Sequence, residues 1–388
     1  MRIALLSSDP EVVFGDSHAC PVRLRGLAYA LARAGHDITV ILSGLEPGYP
    51  DPAPELKVRT LRMPVSVREI DWHFSRVQPD IVIERHLPGS LEGARAASEA
   101  GVPHLYDLEL AARPQALSTS ASVRGSLPEA LSLSNGAIVS NARAAERLQS
   151  LMGDRFPVTV VPNAAAGEFL DSPPAEHVAR IEQQLRLAGE RPRVAFYGPL
   201  VRDCGLLPLV HAMGLMPASR RPRLVVVGDG PERNPSLVAA DAAQVGLVLC
   251  GRVPQRDAPA YLAPCDVVVV SGDDEQGVPT ALLEAMAMER AVIAPATESV
   301  RAVARHGHDA HLVPFHDAEA LAAALEALLA DAPRRGRLGA YARRTVASRH
   351  TWDARVEQVL GLADRVLVGS RVALDAWQPT GRSVGADA

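Results

Sequence analysis

The sequence predicts an α/β protein built from two Rossmann-like, doubly wound parallel-sheet domains that face each other across an interdomain cleft. Three observations carry this. The chain has 388 residues, too many for a single compact core. Short β-rich apolar runs recur in two series, each run followed by a longer Ala/Leu-rich stretch at helical spacing. A polar stretch with prolines at both ends, DSPPAEHVARIEQQLRLAGERP (171–192), separates the two series.

In the first series the runs are RIALLSS (2–8), DITVILSG (37–44), DIVIERH (80–86), HLYDLEL (104–110), GAIVSN (136–141) and VTVVPN (158–163). Most are apolar on both faces, as parallel strands covered by helices on either side must be. PVRLRGLAYALARAGHD (21–37) lies between the first two at a helical period, and Gly35 is a suitable stop. This makes a βαβ unit. A second series begins at RVAFYGP (193–199) and continues through RLVVVGDG (223–230), LVLCGRV (247–253), DVVVVSG (266–272), AVIAPA (291–296) and AHLVPF (310–315). The expected division is therefore a first domain over 1–170, a linker with one exposed helix over 171–192, and a second domain over 193–349. Ligands of such sheets bind beyond the carboxyl ends of the strands. After residue 316 the pattern turns helical, with Asp317 as a cap for DAEALAAALEALLA. The basic stretch PRRGRLGAYARR (333–344) reads as a solvated helix face. The tail, 368–388, is expected to be partly disordered, most clearly in WQPTGRSVGADA.

Composition narrows the function. Hydrophobic residues make up 47% and charged residues 22%, as in ordinary globular proteins, and the net charge of -5 gives no reason to expect nucleic acid or an anionic surface as partner. Cys20, Cys204, Cys250 and Cys265 are scattered, without a CxxC pair or a histidine cluster, which argues against a zinc site or disulfide framework and fits a reducing cytoplasm. No signal peptide is expected, since Met1-Arg2 leads directly into a strand. No run of about 18 apolar residues is found, so no spanning helix is expected. Peripheral membrane contact and oligomeric state stay open.

The most informative segment is SGDDEQGVPTALLEAMAMERAVIA (271–294). Pro279 suits the first turn of a helix, and Gly277 permits a close approach before it. Glu284 stands alone in ALLEAMAM among apolar neighbours, and a buried carboxylate needs donors. Two readings of the spacing are equally open. Glu284 either caps or pairs with an arginine, or it accepts hydrogen bonds from the two hydroxyls of a ribose while the helix N-terminus offers N–H groups to an anion. The catalytic reading requires that this carboxylate be open to the cleft. One satisfied by protein groups and sealed from it leaves only the scaffold.

GVPTALLEAMAMERAVIA resembles the signature of the retaining family-four glycosyltransferases, in which two glutamates flank seven residues and LLEAMA follows. LARAGHDITV (32–41), VVPN (160–163), VVVGDGPE (225–232), GRVP (251–254), CDVVVVS (265–271) and HTWDARVEQVL (350–360) resemble further segments of that family in order, so that the likeness covers nearly the whole chain. It implies the GT-B fold, with residues 350–367 as a helix crossing back to an acceptor-binding first domain. Glu284 would bind the donor ribose, and the backbone of Gly277, Val278, Pro279 and Thr280 would hold the sugar and diphosphate. Arg252 and Val253 would border the base, Gly198 would lie in the diphosphate loop, and Gly15 would give the diphosphate room against the first domain. The implied donor is a nucleoside-diphosphate sugar of UDP or GDP type, with no other cofactor and no metal, and the acceptor is a small or lipid-like molecule. Transfer would retain the anomeric configuration, with the leaving phosphate taking the acceptor's proton.

Several positions depart from that pattern. Gln276 stands where the first glutamate belongs, with Glu275 beside it; a glutamine still bonds a sugar hydroxyl but carries no negative charge. In GPLVRDCGL (198–206), Pro199 replaces the arginine and Cys204 the lysine that clamp the diphosphate. Arg202 is the substitute within the loop, and Arg23 or Arg25 are cations that the first domain could lend. Losing both clamp cations weakens leaving-group stabilisation by several kcal/mol unless another group compensates. NAAA (163–166) and Glu298-Ser299 replace glycine-containing patterns. Glu109 falls where many relatives carry a histidine; it would orient an acceptor hydroxyl or act as a base, while Asp107 could hold a structural arginine. Glu84 and Arg85 read as an internal ion pair. His36 reads as a helix-end cation, and Cys204 as a cysteine without a catalytic partner.

The leading expectation is therefore a nucleotide-sugar-dependent glycosyltransferase with Glu109, Glu275 and Gln276 nearest the chemistry. The alternatives are a catalytically impaired GT-B protein acting as a binding or regulatory partner, and another reaction, such as epimerisation, on the same scaffold.

Overall fold

Strand β1 (Arg2–Ser7) buries every residue after Arg2, and its neighbours explain why. It pairs in parallel with β3 (Asp37–Leu42) on one side and β6 (Ile81–Arg85) on the other, so helices must cover both faces. The computed structural model describes residues 1–10, 12–14, 19–45, 56–108, 121–187, 189, 191–270 and 277–376, with backbone alone at 19–20, 121–126 and 370–376.

The first sheet has seven parallel strands in the order β5-β3-β1-β6-β7-β8-β9, where β5 is Leu56–Thr60, β7 His104–Leu108, β8 Gly136–Val139 and β9 Val158–Val160. A minor pair, β2 (Val13–Phe14) with β4 (Gly44–Leu45), sits beside it. Helices α1 (Ala19–Arg33), α2 (Val67–Val77), α3 (Glu92–Glu99), α4 (Ala121–Ser132) and α5 (Ala142–Met152) are the crossovers. Strand β5 carries no apolar run: its LKVRT buries only Leu56 fully, because it is an edge strand. Sequence periodicity had no purchase on it.

The second sheet has six parallel strands in the order β12-β11-β10-β13-β14-β15. Here β10 is Arg193–Tyr197, β11 Arg223–Val227, β12 Leu247–Gly251, β13 Val267–Val270, β14 Ala291–Pro295 and β15 His311–Val313. Its helices are α7 (Leu206–Leu215), α8 (Arg233–Ala242), α9 (Ala258–Leu262), α10 (Thr280–Ala287), α11 (Glu298–Arg301), α12 (Ala318–Ala330) and α13 (Ala332–Arg349). In each sheet the winding runs outward from the first strand and then returns to its other side. The switch points therefore lie between β1 and β6 and between β10 and β13, and crevices for ligands open at the carboxyl ends of those strands.

Between the sheets, α6 (Ala175–Gln184) is largely exposed, as expected, and touches the second domain through one face. Ile181 is buried, and Glu182 pairs with Arg193 at 2.5 Å. The chain passes from one core to the other at Ala164–Ala165: Val161 and Ala164 pack in the first core, Ala165, Ala166 and Phe169 in the second. Helix α14 (Trp352–Ala376) makes the return crossing, and it extends beyond residue 367, where the sequence suggested a tail. Its Trp352, Val356, Val359, Leu362 and Val366 pack with Leu24, Leu27 and Leu31 of α1. Gly26 is what allows this contact, since a Cβ there would come within 2.1 Å of the Trp352 indole.

Candidate functional site

The site begins where β13 ends. Gly277 has a φ of +79°, in the left-handed region, and turns the chain into α10. Pro279 stands one residue before the first helical position, as the cap, and among the described residues no side chain caps that end. Leu282 N donates to the Pro279 carbonyl at 3.1 Å, which leaves the Thr280 and Ala281 amides without a partner among the described residues, and the helix dipole favours an anion there. This turn faces the first domain directly. Asn163 Nδ2 donates to the Val278 carbonyl at 3.2 Å, and a Cβ on Gly277 would lie 3.5 Å from Asn141 Nδ2 and 3.6 Å from Ser140 Oγ. Asn141 is fixed in turn as the cap of α5, its Oδ1 accepting from Ala144 N at 2.8 Å. Gly277, Val278, Pro279 and Thr280 accordingly lie at the seam between the two domains.

One helical turn further, Glu284 is 3% exposed, and both carboxylate oxygens are taken. Tyr197 OH donates to Oε2 at 2.6 Å and Gln255 Nε2 to Oε1 at 2.5 Å. The catalytic reading needed a carboxylate open to the cleft, and this one is not; the other reading had an arginine as partner, and the donors are a phenol and an amide. The arginine stands one step removed. Gln255 Oε1 accepts from Arg25 Nη2 of α1, so that a guanidinium of the first domain reaches the carboxylate of the second through an amide. Glu168 lies 4.0 Å from Arg25. Burial pushes the Glu284 pKa up to about 7, with Glu168 adding to the rise while Tyr197, Gln255 and Arg25 oppose it. Burial and the neighbouring Glu284 charge hold the Tyr197 phenol well above its ordinary range, so it remains a donor.

A parallel relay reaches the start of the same helix. Arg23, also on α1, donates through Nε to Asp107 Oδ2 at 2.8 Å and through Nη1 to Asn163 Oδ1 at 3.1 Å. Asn163 then passes its amide to Val278. Arg23 and Arg25 are therefore engaged by protein partners and, as they stand, are not cations lent to a diphosphate. Burial alone would raise the Asp107 pKa, but the Arg23 and Arg85 guanidiniums outweigh it and leave the carboxyl below its usual range. Asp107 does hold structural arginines.

The expected Glu84–Arg85 pair does not form. Neighbours on a strand point to opposite faces. Arg85 turns to Asp107 at 3.4 Å, while Glu84 turns to His104 Nε2 at 2.9 Å and Ser8 Oγ at 3.4 Å. Gly93 makes room for Glu84, as a Cβ there would lie 2.3 Å from the carboxylate. His36 is no helix-end cation either. Burial, and then the charged amino terminus, lower its pKa, and Met1 N lies 3.3 Å from its Nδ1.

The remaining candidates are scattered. Arg202 has a 91% exposed side chain, and its ion-pair partner among the described residues is its neighbour Asp203, at 3.8 Å. Arg252 is exposed, and Val253 packs into the second core. Gly198 follows β10 with a φ of +141°, and its carbonyl would lie 1.9 Å from a Cβ on Gly228, so these two loops meet backbone to backbone. Burial raises the Cys204 thiol, which suits a packing role in the apolar core around α7. Gly15, Glu109, Glu275 and Gln276 lie outside the described residues. Among the described residues no group of three or more His, Cys, Asp or Glu could hold a metal, and no helix is long and apolar enough to cross a membrane.

Sequence reasoning missed Tyr197, Gln255 and the amide of Asn163. Tyr197 had one usable signal, its position as the last residue of the first strand of a Rossmann-like series, at the switch point. Gln255 had none.

Comparison with known proteins agrees with this architecture. Residues 20–164 match the glycosyl transferase 4-like domain and residues 191–331 match glycosyl transferases group 1. A D-inositol 3-phosphate glycosyltransferase of Xylanimonas cellulosilytica is 28% identical over 402 residues, covering 91% of this chain and 94% of that enzyme. The enzyme of the same name from Stackebrandtia nassauensis is 31% identical over 310 residues, covering 72% and 67%. Among solved structures, Alr3699/HepE of Anabaena in complex with UDP superposes with a TM-score of 0.71 at 16% identity, covering 94% of this chain and all, 100%, of that one.

Proposed function

This chain belongs to the family-four glycosyltransferases of GT-B fold, and from that membership we propose that it moves a sugar from a nucleoside-diphosphate donor, of UDP or GDP type, to a small polyol-phosphate or lipid-like acceptor. The observation that carries the reading is the uncapped start of α10 set against Asn141 and Asn163 of the other domain. It offers backbone N–H groups and a helix dipole to a diphosphate at the mouth of both sheets. The UDP complex of Alr3699/HepE supports the donor class, and the two D-inositol 3-phosphate glycosyltransferases support the acceptor class.

In this reading Thr280 and the residues just before it hold the diphosphate, and Gly277 keeps the approach clear of a side chain. Glu284, satisfied and sealed as it stands, does not carry this reading, which rests on family membership; it would accept the ribose hydroxyls only after Tyr197 and Gln255 yield. Glu275 and Gln276 precede this turn and bond the sugar, while Glu109 orients the acceptor hydroxyl. The bond from the anomeric carbon to the diphosphate oxygen breaks, and the acceptor oxygen bonds the same face. The departing phosphate oxygen takes the acceptor's proton, which retains the anomeric configuration. Thermal unfolding with UDP, GDP and their sugars, followed by assay for donor hydrolysis, tests this. A nucleotide-dependent rise in the midpoint is expected, lost in Glu284→Ala. A protein with no such rise and no hydrolysis removes the proposal, and a rise unchanged by Glu284→Ala removes Glu284 from the donor site.

A further inference from the structure

Two relays run from α1 to α10, and both pass through an amide. Arg23 reaches the Val278 carbonyl through Asn163, and Arg25 reaches Glu284 through Gln255. The second relay ends on the carboxylate that the proposed function gives to the ribose. Gln255 can serve both sides because its amide is polarised in the needed sense, oxygen toward the guanidinium and nitrogen toward the carboxylate. Tyr197 closes the other oxygen from β10. Gln255, Arg25 and Glu284 are each nine-tenths or more buried, so none of these bonds is shared with bulk water.

We propose that Tyr197 and Gln255 form a gate on Glu284, and that Arg25 ties the gate to domain closure. A ribose bringing two hydroxyls to this carboxylate must replace both donors. When Gln255 leaves Glu284 it also loses the orientation in which it receives Arg25, so nucleotide entry rearranges the contact between domains. The gate also sets specificity: only a ligand that returns two hydrogen bonds to the carboxylate recovers what displacing the phenol and the amide costs. A ligand lacking the ribose hydroxyls leaves the gate shut and gains only the diphosphate contacts. This inference rests on the ribose reading of Glu284, and the experiment separates the two.

Dissociation constants are measured by calorimetry for UDP and for 2′,3′-dideoxy-UDP, on the wild-type protein and on Tyr197→Phe. The wild-type protein is expected to prefer UDP. Tyr197→Phe, which removes one competing donor and keeps the ring against Phe169, is expected to widen that preference by about tenfold, through tighter UDP binding alone. A wild-type preference that Tyr197→Phe leaves unchanged overturns the gate and spares the ribose reading. Absence of any wild-type preference overturns both. Should Tyr197→Phe fold poorly, Gln255→Met removes the other donor, and the same widening is expected. Gln255→Met also tests the coupling. Its nucleotide-free radius of gyration by small-angle scattering is expected to exceed that of the wild-type protein, and equality shows that the relay does not hold the domains.

Discussion

Replacing Glu284 by glutamine should alter stability in a way that depends on pH, with a sign set by the carboxylate's surroundings. Burial raises its pKa from 4.5 to about 7 in the folded protein. Below 4.5 the folded and unfolded chains both carry the proton. Between 4.5 and about 7 the folded chain retains a proton that the unfolded chain has released, so wild-type stability falls as pH rises through this window. Above about 7 the loss is complete. At about 1.4 kcal/mol per pKa unit, the interval corresponds to up to about 3 kcal/mol. Glutamine has nearly the same shape and never ionises, and its carbonyl can accept from Gln255 while its amino group faces the Tyr197 oxygen. Urea unfolding of both proteins at about pH 5 and about pH 8 gives the difference directly, because the other titrating groups are common to both chains. The variant's stability relative to wild type should rise by up to about 3 kcal/mol from the lower pH to the higher. A relative stability that stays flat, or falls, refutes the claim that burial raises the pKa of this carboxyl group.

Three further outcomes follow from the packing. Gly26→Ala drives a methyl group into the buried Trp352 indole and should cost about 1–3 kcal/mol in thermal or urea unfolding, since α1 and α14 must separate to admit it. Arg23→Met leaves Asp107 buried with Arg85 as its remaining cation among the described residues and should cost about 3 kcal/mol, part of it recovered when Asp107→Asn is added. Arg202→Ala removes a solvated side chain and should shift stability by less than about 0.5 kcal/mol. If Arg202 swings in to contact a diphosphate, the same change weakens UDP binding while leaving uridine binding intact, and equal loss of both removes it from the clamp.

Both sheets were legible because their central strands are apolar on two faces, a property written into each strand without reference to its neighbours. Strand β5 was not, since an edge strand that exposes most of LKVRT carries no such signature. The last turns of α14 were equally illegible, because RVALDA (371–376) carries no stop signal that distinguishes helix from tail. At the site, the local chemistry was readable: a glycine requiring positive φ and a proline at the helix start announce the turn by residue type alone. The need of Glu284 for donors was readable too, but not their identity. Tyr197 lies 87 positions away in sequence and Gln255 29, and only the folding of the second sheet brings them together. The pairing of Glu84 and Arg85 failed for the opposite reason, because sequence adjacency on a strand places side chains apart.

The same logic bears on the missing diphosphate clamp. Pro199 and Cys204 stand where cations are expected, Arg202 faces solvent, and the α1 arginines are committed to Asp107, Asn163 and Gln255. In this arrangement the positive potential at the seam comes from the first turn of α10, whose partial charge is fixed by the backbone and cannot be removed by substituting a side chain. Among the described residues Arg25 is the cation whose hydrogen-bond relay ends on Glu284, so a contribution of its charge to the diphosphate depends on Gln255 releasing it. Binding of the donor and release of Arg25 are then one equilibrium, and a nucleotide that fails to displace Gln255 meets the helix N-terminus without the Arg25 charge.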